Sequence, residues 1–444
     1  MTATTDLHLL GATAAAEATR DGAISAVDYV GACLARIAEV DELVQAWAFI
    51  DPDYALEQAR LLDEHRAQGM PLGRLHGVPV ALKDIIDTED MPTENGSVLH
   101  AGRRPPEDAT IVRRLRAEGA VIIGKTVTTE FATFAPGKTR NPRNLEHTPG
   151  GSSSGSAAAV AAGMVPLAIG TQTNGSVIRP ASFCGTVGFK PTFGSISRHG
   201  VLRTSRALDQ IGVFARNVPD AALLADVLWG HDDHDEDTRL GAPPGLARVA
   251  AEEPPLPPRL AYVGTPIADE LSDEAREAFD ELQQALGITA ISMADGFRAA
   301  WDSHRTIYEA DLAHYLGPAY AHGRDRLSES LRGQIERGRE VRACDYLAAR
   351  ERAQSLYLGL EDWLEEYHAF VTPSAHGVAP AGLDATGSPA FCTLWTLCGM
   401  PAITLPLMGG ESGLPIGVQL VGKRGDDARL LRTARWLVSR LASE

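Results

Sequence analysis

Apolar residues recur at spacings of three and four along the first 70 residues, a period that is typical of amphipathic helices. Ser25 and Asp53 belong to the residue types that begin helices, because their side chains accept hydrogen bonds from free N–H groups of the first turn. The pattern therefore predicts helices over residues 26–40 and 54–68, with Ser25 and Asp53 as their N-caps.

Further along, short apolar runs separated by polar and glycine-rich stretches predict buried strands. These runs lie at 78–82, 121–124, 165–170, 187–190, 260–263, 369–372, 402–405 and 416–421. Helical patterns lie at 108–118, 156–163, 273–367 and 427–441. The alternation predicts an α/β fold, in which a single large domain has a mixed, mostly covered central β-sheet flanked by helices, with the long helical segment as an insert.

Composition narrows the class of protein. The 444 residues carry a formal net charge of −17, which argues against a nucleic-acid partner, because phosphates require a positive surface. No apolar run reaches the ~18 residues that a membrane span requires. The five cysteines are scattered and show no spacing typical of a metal site. We therefore expect a soluble, cytoplasmic protein that is a monomer or homodimer, with no membrane association, no cofactor and no metal.

The candidate chemistry is concentrated in two glycine loops that carry serines. Residues 149–158 read PGGSSSGSAA and residues 170–176 read GTQTNGS. Upstream, Lys83 ends the apolar run GVPVALK. A serine hydroxyl needs a base to attack a carbonyl group, and a buried lysine can be that base because burial favours its neutral form. The three motifs together therefore supply a nucleophile, a relay and a base.

This set resembles the amidase signature family, in the branch that reads Gly-Thr-Gln-Thr-x-Gly-Ser, and the resemblance covers most of the chain. It implies that Ser176 is the nucleophile, Ser152 a proton relay and Lys83 the base. It further implies a cis peptide bond between Ser152 and Ser153. The oxyanion hole that it implies consists of the backbone N–H groups of Thr173, Asn174, Gly175 and Ser176.

The same resemblance suggests how the chain is divided and where its substrate binds. We expect one domain over 1–444, with N-terminal helices (1–72), a catalytic core (73–230), a surface excursion (231–258), a helical cap over the site (264–367) and a return to the core sheet (368–444). The acidic run at 231–237 is interpreted as a solvated loop and not as a metal site. The substrate-binding candidates are Phe134, Gln172, Arg179, Tyr308 and Trp395.

Two of these candidates carry a specific expectation. Aromatic residues such as Tyr308 would suit a bulky leaving group. In some relatives of the family an arginine at the position of Arg179 recognises a carboxylate. For Arg179 an ion pair within the protein is favoured over that role, because bidentate arginine pairs serve scaffolds equally well.

The triad predicts a serine hydrolase that cleaves amide C–N bonds of a small molecule. A carbamate (urethane) presents the same carbonyl group, so carbamate hydrolysis is an alternative, with ester cleavage as a side activity. An amidotransferase subunit with a tRNA-bound partner is a further alternative, which the negative charge disfavours. The run GSSSG also matches the nucleophile elbow of α/β-hydrolases, with Ser153 as nucleophile, but the residues before it do not form a strand.

Overall fold

The computed structural model describes residues 4–442. Its α-helices are α1 (Ala12–Arg20), α2 (Ala26–Val44), α3 (Pro52–Ala67), α4 (Thr110–Ala117), α5 (Ser154–Ala161), α6 (Ile178–Cys184), α7 (Val218–Leu228), α8 (Leu246–Ala251), α9 (Asp273–Leu286), α10 (Ala299–Tyr315), α11 (Gly317–Gly323), α12 (Glu329–Arg339), α13 (Ala343–Glu366), α14 (Ala390–Leu397) and α15 (Asp427–Ala442). Its strands are β1 (Trp47–Ile50), β2 (Pro79–Lys83), β3 (Val121–Thr126), β4 (Leu167–Gln172), β5 (Val187–Lys190), β6 (Gln210–Ala215), β7 (Leu260–Gly264), β8 (Thr289–Ser292), β9 (Ala369–Pro373), β10 (Ala402–Gly409) and β11 (Pro415–Val421).

These strands form one mixed sheet in the order β1-β3-β2-β4-β6-β5-β10-β11-β9-β7-β8. Strands β3, β2 and β4 run parallel to one another, and so do β9, β7 and β8. The other neighbouring strands pair antiparallel. The α/β fold with a mixed sheet, predicted from the alternating pattern, is confirmed.

Helices cover the sheet. One hydrophobic cluster packs α1, α2, α4, α7 and α15 against it, and a second cluster is formed mainly by α10, α12, α13 and α14. Strands β2, β3 and β4 are buried along their whole length, which explains their continuous apolar sequences. In the described part of the chain, no helix is both long enough and apolar enough to cross a lipid bilayer.

Of the two predicted N-caps, Ser25 is confirmed and Asp53 is wrong. Helix α2 begins after Ser25, whose side chain accepts a hydrogen bond of 2.9 Å from the N–H of Asp28. Helix α3 begins after Asp51 and not after Asp53, and the Asp51 side chain accepts a bond of 3.0 Å from the N–H of Tyr54. The prediction overlooked Pro52, which suits the first helical position because it has no N–H to leave unsatisfied.

Three strands were not predicted: β1, β6 and β8. Strand β1 lies within the segment expected to be helical, and it pairs antiparallel with β3 at one edge of the sheet. Strand β8 lies at the other edge and is mostly exposed, so it has no apolar face for a pattern to reveal. Short edge strands take their conformation from hydrogen bonds to a neighbouring strand, and local sequence does not encode that neighbour.

The segment 231–258 is more than a surface excursion. It contains α8, in which Leu246 and Ala250 are buried. The acidic run is not simply solvated, because Asp235 is buried and forms an ion pair of 2.8 Å with Arg198. Arg198, 37 residues earlier in the chain, neutralises this part of the run and draws it into the protein. Within residues 4–442, no group of three or more His, Cys, Asp or Glu residues could hold a metal ion.

Candidate active site

Parallel pairing of β2 with β4 positions the lysine. Leu82 is paired with Ile169, so the carboxyl ends of the two strands meet at one edge of the sheet. Lys83 is the last residue of β2, and its Nζ is hydrogen-bonded to Thr171 Oγ1 of β4 at 2.8 Å. Carboxyl ends of parallel strands are the usual place for ligand sites in α/β folds.

The first glycine loop brings Ser152 to the lysine. Lys83 Nζ lies 2.7 Å from Ser152 Oγ, at hydrogen-bonding distance. The hydroxyl of the next residue, Ser153, donates to the C=O of Thr171 and accepts from the N–H of Thr171, each at 3.2 Å. Gly170 makes this approach possible, since a Cβ there would lie 2.5 Å from Ser153 Oγ. Loop and strand therefore hold each other in place.

The cis peptide bond lies on the other side of Ser152 from the predicted one. It joins Gly151 to Ser152, not Ser152 to Ser153. A cis bond brings consecutive Cα atoms to about 2.9 Å, and a glycine crowds this approach least because it has no Cβ. The prediction is therefore wrong about which bond is cis.

Lys83 is fully buried, and loss of hydration lowers the pKa of its amine to about 7. The negative charge of Asp209 acts in the opposite direction and raises this pKa. Asp84, the next residue along the chain, is also buried, but its carboxylate accepts a bond of 3.0 Å from the N–H of Glu94. The Asp84 carboxyl interacts electrostatically with Lys125, whereas the carboxylate that acts on Lys83 is that of Asp209.

Two other lysines are also buried, Lys125 and Lys190. The pKa of Lys190 is likewise lowered to about 7 by burial, so a lowered pKa alone does not mark a base. Lys190 Nζ donates to the carbonyl oxygens of Pro191 and Met400, and carbonyl groups only accept hydrogen bonds. Both bonding partners of Lys83 are hydroxyls, which also donate, so a neutral amine can stay bonded there.

Ser176 lies in a narrow pocket with a volume of ≈ 10 Å³, room for about one water molecule. The pocket is lined by Ala132, Thr133, Phe134, Thr173, Asn174, Gly175, Ser176, Arg179, Tyr308 and Pro389. Within residues 4–442 no hydrogen bond joins Ser176 to Ser152. The structure thus brings together Lys83 and Ser152, and it places Ser176 with the predicted oxyanion loop.

That loop, residues 173–176, is anchored by three parts of the chain. His304 of α10 donates from Nε2 to the carbonyl oxygen of Thr173 at 2.9 Å, and burial lowers the pKa of this histidine to about 4. Thr396 of α14 donates to the carbonyl oxygen of Asn174 at 2.5 Å. The hydroxyl of Thr173 donates to Asp209 at 2.6 Å. These contacts use oxygen atoms of the loop and none of its N–H groups, which suits a loop whose N–H groups stabilise an oxyanion.

Gln172 and Trp395, two of the predicted substrate contacts, are structural. Gln172 is fully buried, and its side-chain oxygen accepts bonds from the N–H groups of Val177 and Ile178 at 2.8 and 3.0 Å. Trp395 is also fully buried and packs against Phe370, with ring centroids 6.0 Å apart. Residue type suggested a role in the pocket for both, and in this structure neither of them lines the pocket of Ser176. Phe134 and Tyr308, in contrast, do line the pocket.

Arg179 is buried beside Ser176 without the ion pair that the sequence favoured. Its guanidinium donates to two backbone carbonyl oxygens, that of Gly387 and, at 2.5 Å, that of Gly151. No carboxylate in residues 4–442 forms a salt bridge with it, and burial lowers its pKa to about 10. A buried positive charge without a carboxylate partner therefore lines the pocket.

Near the pocket, the backbone is strained at two consecutive residues that are not glycine. Phe131 and Ala132 have φ angles of 45° and 58°, in the left-handed region that costs about 1 kcal/mol or more for such residues. Ala132 lines the pocket, and Phe131, the residue before it, is fully buried. Strain of this kind clusters at functional sites, and only the structure reveals it.

Several residues that support the site were not predicted from the sequence. Thr171 lies inside the second loop motif, and this position could have indicated that it belongs to the site. Asp209 and His304 stand outside every motif and reach the loop only through folding. No pattern in the sequence could have selected them, because the contacts join residues more than 30 and more than 130 positions apart.

Known proteins similar to this chain identify its family. The sequence model of the Amidase family matches residues 28–431. A curated relative, a glutamyl-tRNA(Gln) amidotransferase subunit from Chloroflexus aurantiacus, is 37% identical, with 96% of each chain aligned. Similar solved structures include a 6-aminohexanoate cyclic dimer hydrolase complexed with substrate, at 29% identity and a TM-score of 0.87 over 98% of each chain. The native peptide amidase of Stenotrophomonas maltophilia is 30% identical, with a TM-score of 0.84 over 97% of each chain. This chain belongs to the amidase signature family.

Proposed function

We propose that this protein cleaves amide C–N bonds through an acyl-enzyme on Ser176. The observation that carries the proposal is the buried Lys83, whose Nζ lies 2.7 Å from Ser152 Oγ and whose pKa is lowered to about 7. A lysine of that pKa is largely neutral above neutral pH and can accept a proton. Ser176, at the end of the loop with the candidate oxyanion donors, is the hydroxyl that would be activated.

In the proposed mechanism Ser176 Oγ attacks the amide carbonyl carbon while its proton passes to Ser152 Oγ, and the Ser152 proton passes to Lys83 Nζ. The N–H groups of residues 173–176 stabilise the oxyanion. The proton then returns through Ser152 to the departing nitrogen, the C–N bond breaks, and the amine leaves. Water attacks the ester carbonyl by the same relay, which releases the acid and restores Ser176.

The pocket favours an amide that carries a carboxylate. Arg179 lines it as a buried cation with no carboxylate partner in the described chain. A substrate carboxylate would supply the missing negative charge, and a charge-assisted pair is strongest where water is excluded. Tyr308 of α10 closes the same pocket, in keeping with a cap formed by residues 264–367.

A second candidate, which the curated relatives favour, is that this chain is the corresponding subunit of a glutamyl-tRNA(Gln) amidotransferase. The relative of that name from Chloroflexus aurantiacus aligns with 96% of the chain. The net charge of −17 does not decide against this role, because partner subunits could hold the tRNA. The same triad would then release ammonia from glutamine, which is itself an amide with a carboxylate. Carbamate and ester cleavage are further candidates, since both present the same carbonyl group.

A hydrolysis screen separates these candidates. The chain expressed alone should be assayed with aryl amides, aliphatic amides, dicarboxylic acid monoamides, glutamine and aryl carbamates. Turnover of monoamides by the isolated chain supports an amidase that acts alone. Glutamine turnover that appears only with subunits copurified from native cells supports the amidotransferase. Carbamate turnover well above amide turnover would favour the urethanase, and no turnover of any class under either condition would refute C–N cleavage.

The activity is expected to rise with pH through a midpoint near 7. The base must be neutral, and burial lowers the pKa of Lys83 from 10.5 to about 7, so the active fraction is lost as pH falls through that value. Roughly 90% of the amine is neutral one pH unit above its pKa. The measurement is kcat/KM for an aryl amide from pH 5 to 9, and a flat profile would contradict a titrating lysine.

Replacing Asp209 with asparagine is expected to move that midpoint to lower pH. Asp209 raises the pKa of Lys83, so removal of its charge lets the lysine lose its proton earlier. The side-chain amide of the new asparagine can still form hydrogen bonds with the hydroxyls of Thr173 and Thr204, because hydroxyls accept as well as donate. The exposed Asp302, replaced in the same way, is the matched control and should leave the midpoint unchanged. A midpoint that stays in place in Asp209→Asn would contradict the electrostatic link to Lys83.

A further inference from the structure

A second cavity, of ≈ 420 Å³, shares no lining residue with the pocket of Ser176. Three arginines line it, Arg239, Arg350 and Arg424, together with a single carboxylate, that of Glu351. Phe193 and Leu397 give this cavity an apolar part of its lining. The side chains around this cavity therefore carry an excess of two positive charges, in a protein whose net charge is −17.

None of these three guanidinium groups forms a salt bridge within residues 4–442, although most ion pairs of that part of the chain involve arginine. Arg424 is held in place by its neighbours: Nε donates to the carbonyl oxygen of Cys398 at 2.5 Å and Nη1 to Gln354 at 3.1 Å. Its guanidinium also lies 3.7 Å from the centroid of the Tyr357 ring. These contacts fix the group by neutral partners. The carboxylate of Glu361 also acts on Arg424 electrostatically, but its salt bridge is with Lys423.

The positive charges act on one another across the cavity. Burial is the main reason that the pKa of Arg424 is lowered; Cys398, Tyr357 and Glu361 act in the opposite direction, and the charge of Arg239 lowers it further. Arg350 is exposed, and its Nη1 donates only to the hydroxyl of Tyr346, at 3.3 Å. Mutual repulsion among cations is relieved when an anion binds between them, and guanidinium groups match phosphate oxygens in pairs.

We propose that this cavity binds the phosphate group of a small phosphorylated molecule. Two or three guanidinium groups around one site fit a dianion with three terminal oxygens better than a monoanionic carboxylate. The volume exceeds what one phosphate needs, and Phe193 and Leu397 offer apolar surface to an attached organic group. The proposal concerns binding and is independent of the proposed hydrolysis.

The cavity is connected to the candidate active site through one helix. Leu397, the last residue of α14, lines the cavity. Thr396, its neighbour in the same helix, donates to the carbonyl oxygen of Asn174 in the oxyanion loop. The cavity therefore borders the helix that holds this loop.

Isothermal titration of the full chain with phenyl phosphate and with inorganic phosphate tests the proposal. We expect saturable binding with a Kd below about 1 mM at pH ~8, where phosphate is a dianion. Arg239→Ala and Arg350→Ala should each weaken it about tenfold or more, and both residues are exposed, so folding should be retained. Glu351→Gln should strengthen it a few-fold, because it removes the one carboxylate that lines the cavity. Tighter binding of phenyl phosphate identifies a phosphate ester as the ligand, and equal affinities identify free phosphate.

The matched control is Arg248→Ala. Arg248 is exposed, pairs with Glu252 and lies outside the cavity, so its loss changes the net charge equally without touching the site. Binding in this variant should equal that of the wild type. Absence of saturation with both probes up to about 10 mM would overturn the proposal. Equal weakening in Arg248→Ala and Arg239→Ala would also overturn it, since the effect would then be one of overall charge.

Discussion

Ser176→Ala is expected to lower kcat/KM for amide hydrolysis by about 10⁴-fold or more, because removal of the nucleophile disables the whole relay. Ser176 is partly exposed in its pocket, and the bonds that anchor its loop come from other residues, Thr173 and Asn174. The fold should therefore be retained. Steady-state release of the amine gives the rate, and thermal melting by circular dichroism checks the fold.

Covalent labelling gives a second measurement of the same role. A phosphonofluoridate reacts with the activated hydroxyl, so mass spectrometry of wild-type peptides should find the label on Ser176 and none in Ser176→Ala. Ser153, the alternative nucleophile in the GSSSG run, has its hydroxyl bonded to the backbone of Thr171 and should stay unlabelled. Residual activity above a few per cent in a folded Ser176→Ala protein, or a label on Ser153, would contradict the assignment.

Lys83→Met is expected to lower kcat/KM by a similar factor, about 10⁴-fold, because no other base among residues 4–442 is hydrogen-bonded to Ser152 Oγ. Methionine has nearly the same length and fills the buried site without a charge. Rates should be measured over the whole pH range, since a missing base cannot be replaced by raising the pH moderately. Activity within tenfold of the wild type would contradict the role of Lys83.

Stability should respond to the same substitution in a way that marks a buried amine. The pKa of Lys83 is lowered in the folded state from 10.5 to about 7, so between these values the unfolded chain binds more protons. Wild-type stability therefore gains a contribution as pH rises from 7 to about 10, and Lys83→Met lacks it. Urea unfolding of both proteins at pH ~7 and ~9.5 measures the difference. An identical pH dependence in the two proteins would contradict the lowered pKa.

Lys190→Met is the matched control for activity. Lys190 is equally buried and its pKa is lowered to the same extent, yet its Nζ bonds carbonyl oxygens and Gln210 and not the serine loop. A folded Lys190→Met protein should keep its activity within about tenfold of wild type. If it lost as much as Lys83→Met, the loss would reflect buried lysines in general and not a base.

Much of the fold was predictable because buried strands and amphipathic helices leave periodic patterns. Strand β5 was predicted to the residue, and β2 and β4 were shifted by one or two positions. Strands β1 and β8 were not predictable in this way. Each becomes a strand because it pairs with a neighbour, β1 with β3 and β8 with β7, and its local sequence carries no such pattern. For Asp53 the error was local: the chain offered two aspartates near Pro52, and the proline selects Asp51 as the cap.

The sequence by itself determined the family resemblance and the residues of the proposed relay, because motif spacing and residue type survive without coordinates. Only the tertiary structure decided which buried lysine faces hydroxyls, which peptide bond is cis, and that Gln172 and Trp395 belong to the core. It alone revealed the support of the predicted oxyanion loop by Asp209, His304 and Thr396. The physical reason is the same for each: burial, lost hydration and hydrogen bonding between distant residues arise when the chain packs, and no local pattern records them.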